Sequence, residues 1–169
     1  KLLRSHTYDF NQYGSMSFGF DSTFLGDAVK VWKNKKVGLL NSDGDEIVPP
    51  KFDNIQDPMT NKFILVSLNG KTGVYDRSGK IIHETDLDEI RIVDANEKVP
   101  SKAIIKKENS YGLINLSNGN ILVPVIYNNM GQVYSGISNT WNYAVTINGK
   151  MGLLDSIGNV LIPISYTMQ

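Results

Sequence analysis

The 169-residue chain is long enough to bury a sizeable core, and its 17 basic and 17 acidic side chains cancel, so no long-range field recruits nucleic acid or an anionic membrane. It contains no cysteine, which removes disulfide scaffolds, thiolate metal sites and cysteine nucleophiles together and leaves the compartment open. No stretch approaches the roughly 18 to 20 apolar residues of a membrane-spanning helix, which argues against membrane insertion, and the first residues lack a signal peptide's apolar core. The chain starts at Lys1 rather than Met, which points to a removed leader or a longer parent chain. Residues 1–23 read as a capping or closing segment, because Leu3 stands five positions before Tyr8 as Ile47 stands five before Phe52. A polar, glycine-rich loop around Gly14 to Gly26 follows, and Phe24-Leu25 leads into the first of four copies of one pattern.

The copies occupy residues 24–60, 61–98, 99–138 and 139–169 of a single β-repeat domain. Each is anchored on a glycine, Gly38, Gly73, Gly112 and Gly152, spaced 35, 39 and 40 residues apart. Seven positions before each anchor stands an aliphatic residue, Val31, Val66, Ile105 or Val145. Self-similarity at this period signals repeated supersecondary units rather than one globule. Asn69-Gly70 and Asn148-Gly149 tolerate the positive φ at both centres of a two-residue hairpin, and Asn34-Lys35 and Glu108-Asn109 occupy the same place less comfortably. A second reversal runs from Asn41, Asp76, Asn115 and Asp155 to Gly44, Gly79, Gly119 and Gly158, where an Asx side chain bonds the backbone two residues on and glycine closes the turn.

The strand after this turn ends in Pro49, Pro124 and Pro163, which cannot donate to a ladder and so marks an end, a bulge or an edge. In the second copy His83 is read at the proline position. Fourth strands are predicted at Ile90 to Val93 and Gln132 to Ser135. The fold class is therefore all-β: four antiparallel β-meander repeats of about 35–40 residues forming a propeller-like or solenoid array.

The run Asn148-Gly149-Lys150-Met151-Gly152-Leu153-Leu154-Asp155, and its counterpart Asn69 to Asp76, resembles the WG β-repeat family of bacterial proteins. The resemblance covers about residues 24–169, although Val37, Thr72, Tyr111 and Met151 stand where the family carries tryptophan. It implies a repetitive all-β module, often exported or envelope-associated, with no common catalytic residues and no common ligand.

His6 and His83 are isolated in sequence and read as structural or solvent-exposed. Asn41-Ser-Asp43-Gly-Asp45-Glu46 spaces oxygens as calcium loops do, but Phe52 occupies the position where such a loop places glutamate, so a solvated turn is expected. Lysine clusters at Lys33, Lys35, Lys36 and at Lys102, Lys106, Lys107 read as solubilising hairpin charges. No catalytic set, metal site or cofactor is read from the sequence. Candidate ligand-binding residues are the aromatics Tyr134, Trp141 and Tyr143 of the long link between copies three and four, with Trp32, as aromatic-bearing loops stack on sugars or hold peptides. The expected partner is a protein or a glycan met extracellularly or in the cell envelope. The rival is an enzyme with carboxylates such as Asp86, Asp88 and Glu89 gathered in a cleft; a structural spacer is the third reading.

Overall fold

Two kinds of turn generate the architecture. In the computed structural model, which describes residues 24–25, 27–57, 62–93 and 102–167, the two-residue hairpins have left-handed residues where the sequence predicts them. Asn34 and Lys35 have φ of 52° and 64°, Asn69 and Gly70 52° and 75°, Asn148 and Gly149 52° and 72°. At the third hairpin Glu108 has φ 56° although it is neither asparagine nor glycine. The second turns are Asx turns: Asn41 Oδ1 accepts from the Asp43 and Asp45 N–H groups, and Asp155 Oδ1 accepts from those of Ile157 and Asn159. Residues 1–23, the capping segment, lie outside the described residues.

These reversals make four sheets, each a four-stranded antiparallel meander in sequence order. The first holds β1 (Phe24–Leu25), β2 (Ala28–Lys33), β3 (Lys36–Leu40) and β4 (Glu46–Phe52); the second holds β5 (Asn54–Gln56), β6 (Phe63–Leu68), β7 (Lys71–Asp76) and β8 (Ile81–Leu87). The third holds β9 (Glu89–Val93), β10 (Lys102–Lys107), β11 (Ser110–Asn115) and β12 (Ile121–Tyr127); the fourth holds β13 (Asn129–Ser135), β14 (Thr140–Ile147), β15 (Lys150–Leu154) and β16 (Val160–Thr167). The chain forms two compact units, Lys1–Thr85 and Asp86–Gln169, divided inside β8. The fourth strands predicted near Ile90 and Gln132 are β9 and β13. They pair with the strand that follows, so the sheets change at Asp53, Asp88 and Asn128, earlier in the chain than the copy boundaries placed after residues 60, 98 and 138.

The anchor glycine pairs with the aliphatic residue seven positions before it: Val31 with Gly38, Val66 with Gly73, Ile105 with Gly112 and Val145 with Gly152. All four aliphatics are at most 1% exposed, and burying each contributes roughly 1.5–3 kcal/mol. On its other side the glycine faces a bulge in the last strand. Val37 pairs with Phe52 and Leu39 with Val48, so Pro49, Pro50 and Lys51 oppose Gly38 alone. The third and fourth sheets repeat this register around Gly112 and Gly152. A Cβ on Gly38 would lie 2.6 Å from Pro50 N, and one on Gly152 2.8 Å from Ile162 O. The prolines thus sit in bulged edge strands, where a missing N–H costs no ladder bond. His83 is not the proline counterpart. Gly73 meets Thr85 as Gly38 meets Pro50, which places Glu84 at the position of Pro49.

Within each unit one sheet covers the last strands of the sheet before it. Val37, Leu39, Val48 and Phe52 pack with Ile55, Ile64, Val66 and Tyr75 in one core; Leu113, Val123 and Tyr127 pack with Met130, Tyr143, Val145 and Leu154 in the other. The second turn completes the contact, for a Cβ on Gly79 (φ 88°) would lie 2.1 Å from Ile47 O and one on Gly158 (φ 99°) 2.7 Å from Leu122 O. Gly79→Ala and Gly70→Ala therefore separate two effects by their unfolding free energies. Gly70 has open space, so alanine there costs only the left-handed strain of about 1–2 kcal/mol, whereas Gly79→Ala adds about 1–3 kcal/mol of overpacking.

Candidate functional site

The row of paired residues that forms the fourth sheet's core runs past the sheet into solvent. Met130 pairs with Val145, Gln132 with Tyr143 and Tyr134 with Trp141 on one face of the β13–β14 hairpin. Tyr143 is fully buried, so it belongs to the core and offers nothing to a ligand. Tyr134 and Trp141 lie beyond that core, with ring centroids 5.1 Å apart and planes at 58°. The Tyr134 hydroxyl donates to Asn139 Oδ1, and Asn139 holds φ 52° in the turn. The Ser138 and Thr140 hydroxyls hydrogen-bond at 2.7 Å, and Ile137 at the tip is fully exposed. The result is an aromatic pair braced from below by the core, next to amide and hydroxyl groups.

Of the four candidate residues, Tyr134 and Trp141 are brought together. Trp32 lies on β2 in the other unit, half-buried against that unit's core. Among the described residues this hairpin is also the one whose two arms are long, 7 and 8 residues, against 3 and 6 in the second sheet and 5 and 6 in the third.

The acidic residues have structural work. Asp86 Oδ2 accepts from Lys107 Nζ at 2.6 Å, and Asp88 Oδ2 accepts from the Glu108 N–H at 2.5 Å. That second bond belongs to a recurring clasp: Asp53 Oδ2 takes the Asn69 N–H and Asn128 Oδ1 the Asn148 N–H. In return the Asp53, Asp88 and Asn128 N–H groups donate to the carbonyls of Ser67, Lys106 and Thr146. One Asx residue at each sheet junction thereby holds the two-residue turn between the second and third strands of the next sheet. The sequence carried its signal in the residue following Phe52, Leu87 and Tyr127. Part of each lysine cluster is engaged too, Lys36 with Asp53, Lys107 with Asp86, and Lys106 over the Tyr111 ring. Among the described residues no three histidine or acidic side chains converge as metal ligands.

Charge at the second turns contributes to stability. Partial burial pushes the Asp76 carboxyl up, but hydrogen bonds from Ser78 and Lys80 outweigh it and hold its pKa below the ordinary 3.8. Asp155 behaves alike: burial raises it, and bonds from Asn159, Ile157 and Gly158 outweigh that. Both folded values lie below the unfolded ones, so the stabilisation is complete above the ordinary carboxylate pKa and is lost as pH falls through the folded values. The double variant Asp76→Asn/Asp155→Asn keeps an acceptor oxygen, as Asn41 and Asn115 do. Its melting temperature is expected to fall less steeply between about pH 5 and pH 3 than that of the parent, measured by calorimetry.

The model of the WG containing repeat family matches residues 38–71 and 111–150. Each match runs from the end of one sheet through the Asx junction to the hairpin turn of the next. None of the curated proteins matches the chain. Among solved structures it is similar to one described as the crystal structure of the eukaryotic initiation factor, at 12% identity and a TM-score of 0.43 over 75% of this chain and 36% of that one. It is also similar to dihydro-heme d1 dehydrogenase NirN in complex with DHE, again at 12% identity and 0.43, over 80% of this chain and 35% of that one. The chain thus spans about a third of the length of each.

Proposed function

We propose that this chain, whose residues 38–71 and 111–150 match the WG containing repeat, is a non-catalytic interaction module whose contact surface is the overhanging β13–β14 hairpin. The partner is a protein or glycan met outside the cell or in the cell envelope. The observation that carries this reading is the Tyr134–Trp141 pair: two large rings, opposite each other in register, left outside the core that continues their row. Rigid aromatics beside Asn139, Ser138 and Thr140 suit a sugar ring or an extended peptide, since the faces supply contact area and the amide and hydroxyls supply direction. The non-catalytic reading draws support from the carboxylates. Asp86 and Asp88 are committed to Lys107 and to the Glu108 N–H.

Titration calorimetry with peptidoglycan fragments and a panel of soluble glycans and peptides tests the proposal. A ligand found this way is expected to lose at least tenfold in affinity, about 1.4 kcal/mol, in Trp141→Ala and in Tyr134→Ala, and nothing in Trp32→Ala. Binding that survives both hairpin substitutions removes the hairpin as the surface, and release of new reducing ends from a bound glycan removes the non-catalytic reading.

A further inference from the structure

From Asn109 to Gly149, about a quarter of the chain, the sequence contains no Asp, Glu, Lys, Arg or His, so all 17 acidic and 17 basic side chains lie outside this run. Burial does not account for it, because Val133, Tyr134 and residues 136–140 are exposed, and exposed surface ordinarily carries about a quarter to a third of charged residues. The equivalent hairpins follow that rule: β1–β2 carries Asp27 and Lys30, β5–β6 carries Asp57 and Lys62, and β9–β10 carries Glu89, Arg91 and Lys102. Arg91 touches the β13–β14 hairpin at the Met130 carbonyl, 3.1 Å away. That carbonyl lies four residues back from Tyr134, roughly 13 Å of strand from the aromatic pair.

We propose that the ligand of this hairpin is an uncharged glycan, a chain of neutral sugars rather than a peptide or an acidic polysaccharide. The assignment rests on the hairpin being the contact surface and names the chemical class that surface takes. Its polar groups are neutral and only partly used within the protein. The Tyr134 hydroxyl gives its hydrogen to Asn139 Oδ1, which leaves the amide's N–H groups and the phenol oxygen's lone pairs for a ligand. The bond between the Ser138 and Thr140 hydroxyls uses one of their two hydrogens. Sugar hydroxyls both donate and accept, so they satisfy such a set without net charge, while the C–H faces of the ring lie against Tyr134 and Trp141. A charged ligand would lose hydration here with no counter-charge to offset the loss. A peptide strand would be read through backbone hydrogen bonds along the free edge of β13, an arrangement to which the Tyr134–Trp141 pair on the sheet face and the hydroxyls of the turn contribute nothing.

Titration calorimetry of the intact chain with three neutral sugars, cellohexaose, N-acetylchitohexaose and mannohexaose, against cationic chitosan hexaose and anionic oligogalacturonate tests this. At least one neutral sugar is expected to bind about tenfold or more tightly than either charged one. Its affinity is expected to hold from about 50 to 500 mM NaCl and from about pH 5 to pH 8, since the run from Asn109 to Gly149 holds no carboxylate, histidine or amine. Asn139→Gly accepts the left-handed φ of 52° while removing the amide, and is expected to weaken binding about threefold or more with far-ultraviolet circular dichroism unchanged; Trp141→Ala is expected to weaken it about tenfold or more. Failure of all three neutral sugars to bind at millimolar concentration, or tighter binding of a charged one, overturns the glycan assignment. So does binding from a pool of unstructured ten-residue peptides when the sugars do not bind; if that binding falls in Trp141→Ala, the hairpin stands as the surface and only the class is lost. Sugar binding indifferent to both Trp141→Ala and Tyr134→Ala overturns the hairpin as the surface, and the assignment with it.

Discussion

The structure depends on one steric constraint, the close crossing at each anchor glycine. A backbone with no side chain lies between a buried aliphatic residue on the preceding strand and a bulge on the following one. A Cβ at that point would enter the backbone of the last strand, which would have to move outward. The bulge turns that strand so that Val48 and Phe52, or Val123 and Tyr127, present an apolar surface to the next sheet. Local sterics at one residue thus become the packing of one sheet upon another.

Polar groups hold what the apolar contacts bring together. The Asx residue at each junction exchanges hydrogen bonds with the next hairpin, and the Asx residue of each second turn gathers the N–H groups that the reversal leaves without ladder partners. Arg77 extends this in the first unit, donating to the Leu25 carbonyl at 2.9 Å and pairing with Asp57, so the second sheet grips the first. In the second unit Arg91 donates to the Met130 carbonyl at 3.1 Å, from the third sheet to the fourth. With so many polar groups spent on the fold, the candidate site falls to the element that departs from the pattern. The first hairpin of the fourth sheet is long enough for its core row to continue into solvent as Tyr134 and Trp141.

Turns and the four copies were legible because their chemistry is local: Asn-Gly pairs, Asx-to-glycine reversals and a residue seven positions before a glycine are all fixed by short-range geometry. Sheet membership was less so. Whether β9 or β13 pairs with the strand before or after it is a long-range choice, and the Asx clasp that decides it spans 16 to 20 residues. The misplacement of His83 has the same origin, since that copy lacks the proline that marks the bulge. For the candidate site, composition identified the aromatic link but not the burial of Tyr143, which follows from the period-two alternation once Met130 and Val145 are known to face inward.

Hydrogen exchange of a Gly112→Ala variant, read by mass spectrometry, bears most directly on the glycine crossing. A methyl group at that point displaces Val123 and Val125 on β12, so amide protection should fall on β11 and β12 and also on β14, whose Tyr143 and Val145 cover them. Protection on β12 and β14 equal to that of the parent chain would show that the crossing tolerates a side chain and that sheet packing does not depend on it.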